Sequence, residues 1–233
     1  MLKQWEFPHG RKLTPRGVND PAINSFLDNV IDSLTREVIQ NSLDAKDMEV
    51  DSPVIITFNF KKIETESIPG INQIITDALP RAKEFWKKKN NQGTLDYLNN
   101  FENTIKMKTV NVMKISDHNT IGLDEKSYDA LVLGNGYTEK INENSAGSKG
   151  IGKAAPFAIS DLRLVFYNTV PKKNSPKHVG VLNFVSFNCN DDKDDITQEE
   201  HYIRKKDWII FVIKLILDLK KENYVTLERI FLF

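Results

Sequence analysis

In the segment Arg36-Glu-Val-Ile-Gln-Asn-Ser-Leu-Asp-Ala45, Glu37 and Asn41 stand four residues apart. On a helix that spacing projects both side chains from one side, one turn above the other. They flank the apolar stripe that carries Leu34 and Val38, and Asp44 and Ala45 follow on the next turn. A carboxylate and an amide aligned beside an apolar face could hold a metal ion and a water between them. Helices carry Glu and Asn in solvated roles too, so the pair takes its meaning from the rest of the chain.

A second segment, Val110-Asn-Val-Met-Lys-Ile-Ser-Asp-His-Asn-Thr-Ile-Gly-Leu123, is an apolar strand that runs into Asp117 and a loop with Gly122. A carboxylate fixed at a strand end can accept a hydrogen bond from the exocyclic amine of a base, and glycine lets backbone approach closely. A capped turn is the ordinary alternative. The third segment, Ala146-Gly-Ser-Lys-Gly-Ile-Gly-Lys-Ala-Ala155, places Gly147, Gly150 and Gly152 before a helix, with Lys149 and Lys153 among them. Backbone N–H groups freed by glycine at the positive end of a helix form an anion site. This is neither the Walker loop, whose Gly-Lys-Ser/Thr ending it lacks, nor the dinucleotide fingerprint, which follows a strand. A glycine hinge would use the same residues.

Taken together, in order and spacing, the three segments resemble the Bergerat ATP-binding fold of the GHKL superfamily. That superfamily is shared by DNA gyrase, heat-shock chaperones, histidine kinases and MutL-type repair proteins. Residues 36–45 look like its N-box, and Ser116 to Leu123 resemble its Asp-x-Gly-x-Gly box. Asn119 stands where the first glycine is expected, and Gly122 comes one residue late. The resemblance implies a two-layer α/β sandwich over about residues 1–200, with a helical insertion near 61–108 and a lid near 123–150. It implies ATP as ligand, with Mg²⁺. Glu37 would act as general base on the attacking water, and Asn41 would be the protein ligand to the metal. Asp117 would accept from the adenine amine, with Asp44, Ala45 and Gly122 close to the nucleotide. The loop Gly147-Ser148-Lys149-Gly150-Ile151-Gly152-Lys153 would meet the phosphates, the glycines through main chain and Lys149 or Lys153 as charge partners. A carboxylate at position 37 points to the ATP-hydrolysing gyrase, chaperone and MutL branch.

Two family features are missing. The strand near Lys206 to Ile213 lacks a Gly-Thr pair, and no room is left for the domain that supplies a γ-phosphate lysine. Residues 201–233 read as an apolar strand or helix segment, an ending compatible with a truncated form of a longer protein.

The elements that must position these residues follow from hydrophobic periodicity. Ile23, Phe26, Leu27, Val30, Ile31, Leu34, Val38 and Ala45 predict a helix over about 21–46. Strands are predicted at 54–60, 109–115, 162–170 and 179–187, the last two joined as a hairpin. A helical region spans 71–105, broken at Pro80 and near 90–93. Short helices are expected around 128–133 and 153–159. Residues 1–20 read as an irregular lead-in, and 188–200 as a polar loop. Mixed elements with short-range strand pairing predict an α+β fold, with helices on one face of a mainly antiparallel sheet.

The chain of 233 residues is 40% apolar and 27% charged, ample for a real core. Thirty-two basic residues balance thirty-two acidic ones, so no global field draws it to nucleic acid or an anionic membrane. The Lys87-Lys88-Lys89 run reads as a solvated helix face. Cys189, the single cysteine, excludes an intramolecular disulfide and a cysteine-rich zinc site, and suits a reducing, cytoplasmic home. No signal-peptide pattern opens the chain, and the apolar run Trp208 to Leu219 is short of the ~20 residues of a membrane span. The four histidines lack metal-ligand spacing, and Asp191 to Asp195 lacks the glycine and distal glutamate of a calcium loop. Three functions stay open. They are ATP hydrolysis coupled to lid closure, ATP-gated self-association or partner docking without turnover, and phosphoryl transfer to protein.

Overall fold

Strands β2 (Ile55–Glu64) and β3 (Thr109–His118) pair antiparallel over their whole lengths, from Ile55 opposite His118 to Glu64 opposite Thr109. They belong to a six-stranded sheet in a computed structural model that describes residues 5–132, 152–172, 175–189, 192, 194–204 and 227–232. Next to β3 lies β8 (Leu227–Leu232), then β4 (Leu164–Thr169), β5 (Lys177–Asn183) and β7 (Glu200–Arg204). All five pairings are antiparallel, and β4 and β5 form the expected hairpin. The fold is α+β with an antiparallel sheet, as the mixed pattern predicts. Residues from the 201–233 segment supply β8, which sits at the centre of this sheet.

Two short strands appear where irregular chain is expected. β1 (His9–Arg11) pairs with β6 (Asp195–Thr197), tied by Arg11 to Asp192 at 2.7 Å and His9 to Asp195 at 2.9 Å. Three residues are too few for an alternating pattern to register in a sequence.

Because side chains alternate across a strand, each face of the sheet has its own core. Met113, Ile115, Val165, Tyr167, Val179 and Val181 lie on one side, under Leu34, Val38 and Phe157. Val110, Val112, Leu164, Phe166 and Leu182 lie on the other, under Ile74, Leu79, Trp86, Leu98 and Phe101. The first face carries the helices α1 (Pro21–Asn24), α2 (Val30–Asp44) and α7 (Ala155–Ile159). The second carries α3 (Ile71–Gln73), α4 (Leu79–Lys88) and α5 (Gln92–Ile105), from the segment read as an insertion. That segment is therefore a helical cover for the second face, beyond the one helical layer that the sequence pattern predicts.

The long helix over 21–46 is interrupted. Asp20 caps α1 by accepting from the backbone N–H groups of Ala22 and Ile23, and Asn29, at φ −150° and ψ 60°, restarts the chain as α2. Pro80 does not break its helix. A single π turn at Ile74–Ala78 precedes α4, and the proline falls in the first turn, where no N–H is required. The predicted break near 90–93 is present, with Asn90 left-handed at φ +52° and Asn91 capping α5 through Thr94 N–H. One further helix, α6 (Glu125–Val132), follows β3. Among the described residues no helix is long and apolar enough to cross a membrane.

His201 on β7 is wholly buried against Phe7 and Phe187, at ring distances of 5.0 and 5.8 Å. Neither ring nitrogen has a hydrogen-bond partner among the described residues, and burial pushes the imidazole down to about 3. Below about pH 6.5 the unfolded chain therefore binds a proton that the folded chain refuses. Stability should fall by up to about 1.4 kcal/mol per pH unit from there towards pH 3. His201→Phe should flatten that slope in urea unfolding at a series of pH values. An unchanged slope would assign the pH dependence to other groups.

Candidate functional site

Helix α2 holds the site together. Leu34, Val38 and Ser42, spaced by four, form its buried stripe. Leu34 and Val38 close the core over β3, and Ser42 ends the stripe in a hydroxyl. Ser42 Oγ donates to Asp117 Oδ2 at 3.0 Å, and Thr120 Oγ1 donates to Asp117 Oδ1 at 3.2 Å. Asp117 is 1% exposed and lies within β3, opposite Ile56 of β2 and Leu227 of β8. The sequence pattern predicts a carboxylate just past the strand; the ladder continues through it to His118.

Glu37 projects from the flank of α2 that meets the start of α7. A Cβ built on Gly152 would lie 2.0 Å from Glu37 Oε2 and 2.6 Å from its Cδ, so the carboxylate occupies the space of a side chain at 152. Only glycine admits this approach. Glu37 and the last glycine of the glycine-rich segment are thus in contact, across 115 residues of chain. Residues 147–151, with the candidates Gly147, Ser148, Lys149, Gly150 and Ile151, lie outside the described residues, as does the expected lid beyond Val132. Lys153 is described. Its ammonium lies 3.9 Å from Glu200 on β7, a buried carboxylate that also accepts from Tyr202 Oη at 2.7 Å.

Asn41 and Asp44 are exposed on α2, and Asp44 accepts from Gln40 at 2.9 Å. Ala45 ends the helix and accepts from Ile121 N–H at 2.8 Å, while Asp47 N–H donates to the Asn119 carbonyl at 2.9 Å. The loop after β3 therefore runs along the C-terminal end of α2. Asn119 is left-handed at φ +61°, a conformation that asparagine tolerates better than most residues, and its side-chain amide donates to the Pro53 carbonyl at 2.7 Å. That is how a non-glycine residue stands at this position. Gly122 is left-handed at φ +70°, and a Cβ there would lie 2.9 Å from Pro171 Cα. Asn119 and Gly122 together reverse the loop that follows β3.

Several residues that bind the site together carry no signal in the sequence. Thr169 Oγ1 accepts from Leu123 N–H at 2.9 Å. Lys172 N–H donates to the Ile121 carbonyl at 3.1 Å, and its ammonium reaches Asp47 at 2.8 Å and Glu49 at 2.6 Å. Lys172 holds the Asp47 carboxyl below its usual range, and the two acids raise the Lys172 ammonium. The clamp is therefore charged at both ends across neutral pH. It weakens as pH falls through the lowered Asp47 value or rises through the raised Lys172 value. Asp47 and Lys172 are 125 residues apart, beyond the reach of any local pattern. Ser42 was accessible to the same i, i+4 count as Leu34 and Val38.

A cleft of about 450 Å³ between α1, α5 and α7 is lined by Leu27, Tyr97, Asn100, Phe157 and Arg163 among others, and by none of Glu37, Asn41, Asp117 or Gly152. No protein-family model matches the chain, and no curated protein matches it.

The Glu37–Gly152 contact predicts a coupling. Gly152→Ala should expel the Glu37 carboxylate and lower stability, and the loss should shrink when Glu37 is already alanine. A double-mutant cycle by urea unfolding measures it. Strict additivity would mean that the two do not touch.

Proposed function

We propose that the chain is an ATP-binding and ATP-hydrolysing module of the Bergerat, GHKL type. The observation that carries the reading is that α2 alone joins the three segments, with Ser42 on Asp117 and Glu37 on Gly152. A buried carboxylate beside the end of α2 suits the amine of adenine. Asp117 would hold the base, with Ala45 and Gly122 shaping its loop. The glycine-rich segment ending at Gly152 would receive the phosphates next to Glu37. Asn41, on the same flank as Glu37, would hold Mg²⁺, which when bound neutralises phosphate charge. Glu37 would take the proton of a water attacking the γ-phosphorus, giving ADP and inorganic phosphate. Cys189 as the only thiol suits a reducing compartment, and a cytoplasmic location belongs to the same proposal.

A second reading has its own support. Lys153, the described basic residue of the glycine segment, engages Glu200 in this conformation. A γ-phosphate site without that charge would turn over slowly, and the module would then act as an ATP-gated switch for self-association or partner docking.

Mg²⁺ with ATP or ADP should raise the melting temperature in a thermal-shift titration, because a ligand of the folded state stabilises it by mass action. Asp117→Asn should remove most of that shift, since an amide in place of the carboxylate turns a donor towards the adenine amine. No shift at millimolar nucleotide would falsify the ATP site. Glu37→Ala should keep nucleotide affinity within a few-fold and cut phosphate release by roughly 10²–10⁴, the usual effect of losing a general base. Unchanged, readily measured turnover in that variant would remove Glu37 from the chemistry. Undetectable turnover in the wild type, with binding intact, would select the switch.

A further inference from the structure

We propose that β2 is a self-association edge, pairing antiparallel with β2 of a second copy of this chain. Among the described residues no strand pairs with β2 on the side away from β3. Natural edge strands are commonly short, bulged, or carry proline or charged side chains, lysine above all; the charges of β2 are confined to its end, Lys61, Lys62 and Glu64, and leave 55–60 uncharged. β2 has ten residues, a one-to-one register with β3 throughout and no proline. Its large apolar side chains face solvent: Phe60 is 75% exposed, Ile55 51% and Phe58 37%.

The apolar surface extends onto the helical layer. Phe58 and Phe60 stand opposite Ile115 and Met113, on the sheet face that α2 covers. The Glu37 flank of α2 is turned towards Gly152 and α7, so its other flank overlooks the β2 edge. There Ile39 and Leu43, one turn apart, are 42% and 55% exposed. Ile39, Leu43, Phe58 and Phe60 thus border the open edge together.

The sequence of β2 names the occupant, because it is complementary to itself. An antiparallel pair related by a two-fold axis normal to the sheet places residues of like parity opposite one another. Of the registers this allows, the one centred on Asn59 pairs the whole span 55–63. Phe58 then faces Phe60 of the second copy, Ile55 faces Ile63, and Thr57 faces Lys61, each occurring twice, while Asn59 faces its own equivalent. Aromatic and aliphatic pairs of this kind are the stabilising unit of a sheet, and no like charges stand opposite. Centring on Lys61 or Lys62 would set lysine against lysine, and centring on Phe60, which spans 56–64, would set Phe58 against Lys62 and Ile63 against Thr57, so charge and apolar matching together favour the Asn59 register. The resulting twelve-stranded sheet would bring the two α2 helices alongside, with Phe58 and Phe60 between them. An interface of one ladder and a few apolar side chains lies at the small end of the size range and calls for micromolar self-association.

The test needs no nucleotide and is independent of the ATP reading. Sedimentation velocity on the whole chain, from low to high micromolar, should show a monomer–dimer equilibrium. Phe60→Lys should leave the circular dichroism and melting temperature unchanged and abolish the dimer. In a Cys189→Ser background, Asn59→Cys should oxidise to a cross-linked dimer. Thr57→Cys alone should not cross-link, and mixed with Lys61→Cys it should. The cysteine pairs report register even if Phe60→Lys fails to fold. A wild type monomeric throughout, a dimer that survives Phe60→Lys, or cross-linking that ignores register would overturn the proposal. So would protection from exchange, in dilute monomer, of the alternate β2 amides that point away from β3, which would mean that this chain covers its own edge.

Discussion

Burying a carboxylate costs several kcal/mol unless donors replace its water. Asp117 is buried within the sheet, and its donors include Ser42 of α2 and Thr120 of the following loop. Sliding α2 by one residue would take Ser42 away and leave the charge short of a donor. This one hydrogen bond therefore fixes the rotation and translation of α2, which apolar contacts at Leu34 and Val38 define only loosely. Glu37, five residues before Ser42, then has one place to go, and Gly152 has no side chain there to compete. The two ends of the site are thus set by a single polar contact inside an apolar layer.

The rim of the site is built from loops that would otherwise be independent. The chain after α2, the loop after β3 and the turn after β4 converge around Lys172, Asp47 and Glu49. Backbone hydrogen bonds align these loops, and the ionic clamp holds the outermost of them. Left-handed Asn119 and Gly122 allow the reversal that such a convergence needs.

The sheet is covered on both faces and asymmetric at its edges. Helices α3 to α5 bury the face away from α2, so the second core adds stability without touching Glu37 or Asp117. That separation leaves the β2 edge and the outer flank of α2 as the apolar border of the site-bearing layer. Nucleotide state and association would then meet on one helix, with Glu37 and Ser42 on its inner sides and Ile39 and Leu43 on its outer one.

Local periodicity alone determined the β2, β3, β4 and β5 strands, the α2 stripe and the α+β class, because alternation and the i, i+4 repeat are written within a few residues. The spacing of Glu37, Asn41, Asp117 and the glycines likewise made them candidates before any fold was known. Their nucleotide roles remain a proposal. Tertiary structure decided what lies between distant segments. It placed Asp117 inside the ladder, turned Lys153 towards Glu200, seated Glu37 on Gly152 and brought Lys172 to Asp47. It also made 71–105 a cover for the second face and set β8 between β3 and β4. Each of these depends on a pairing or burial between residues far apart in the chain, where free energy is gained only once the sheet has closed. A one-dimensional pattern holds no record of that partner.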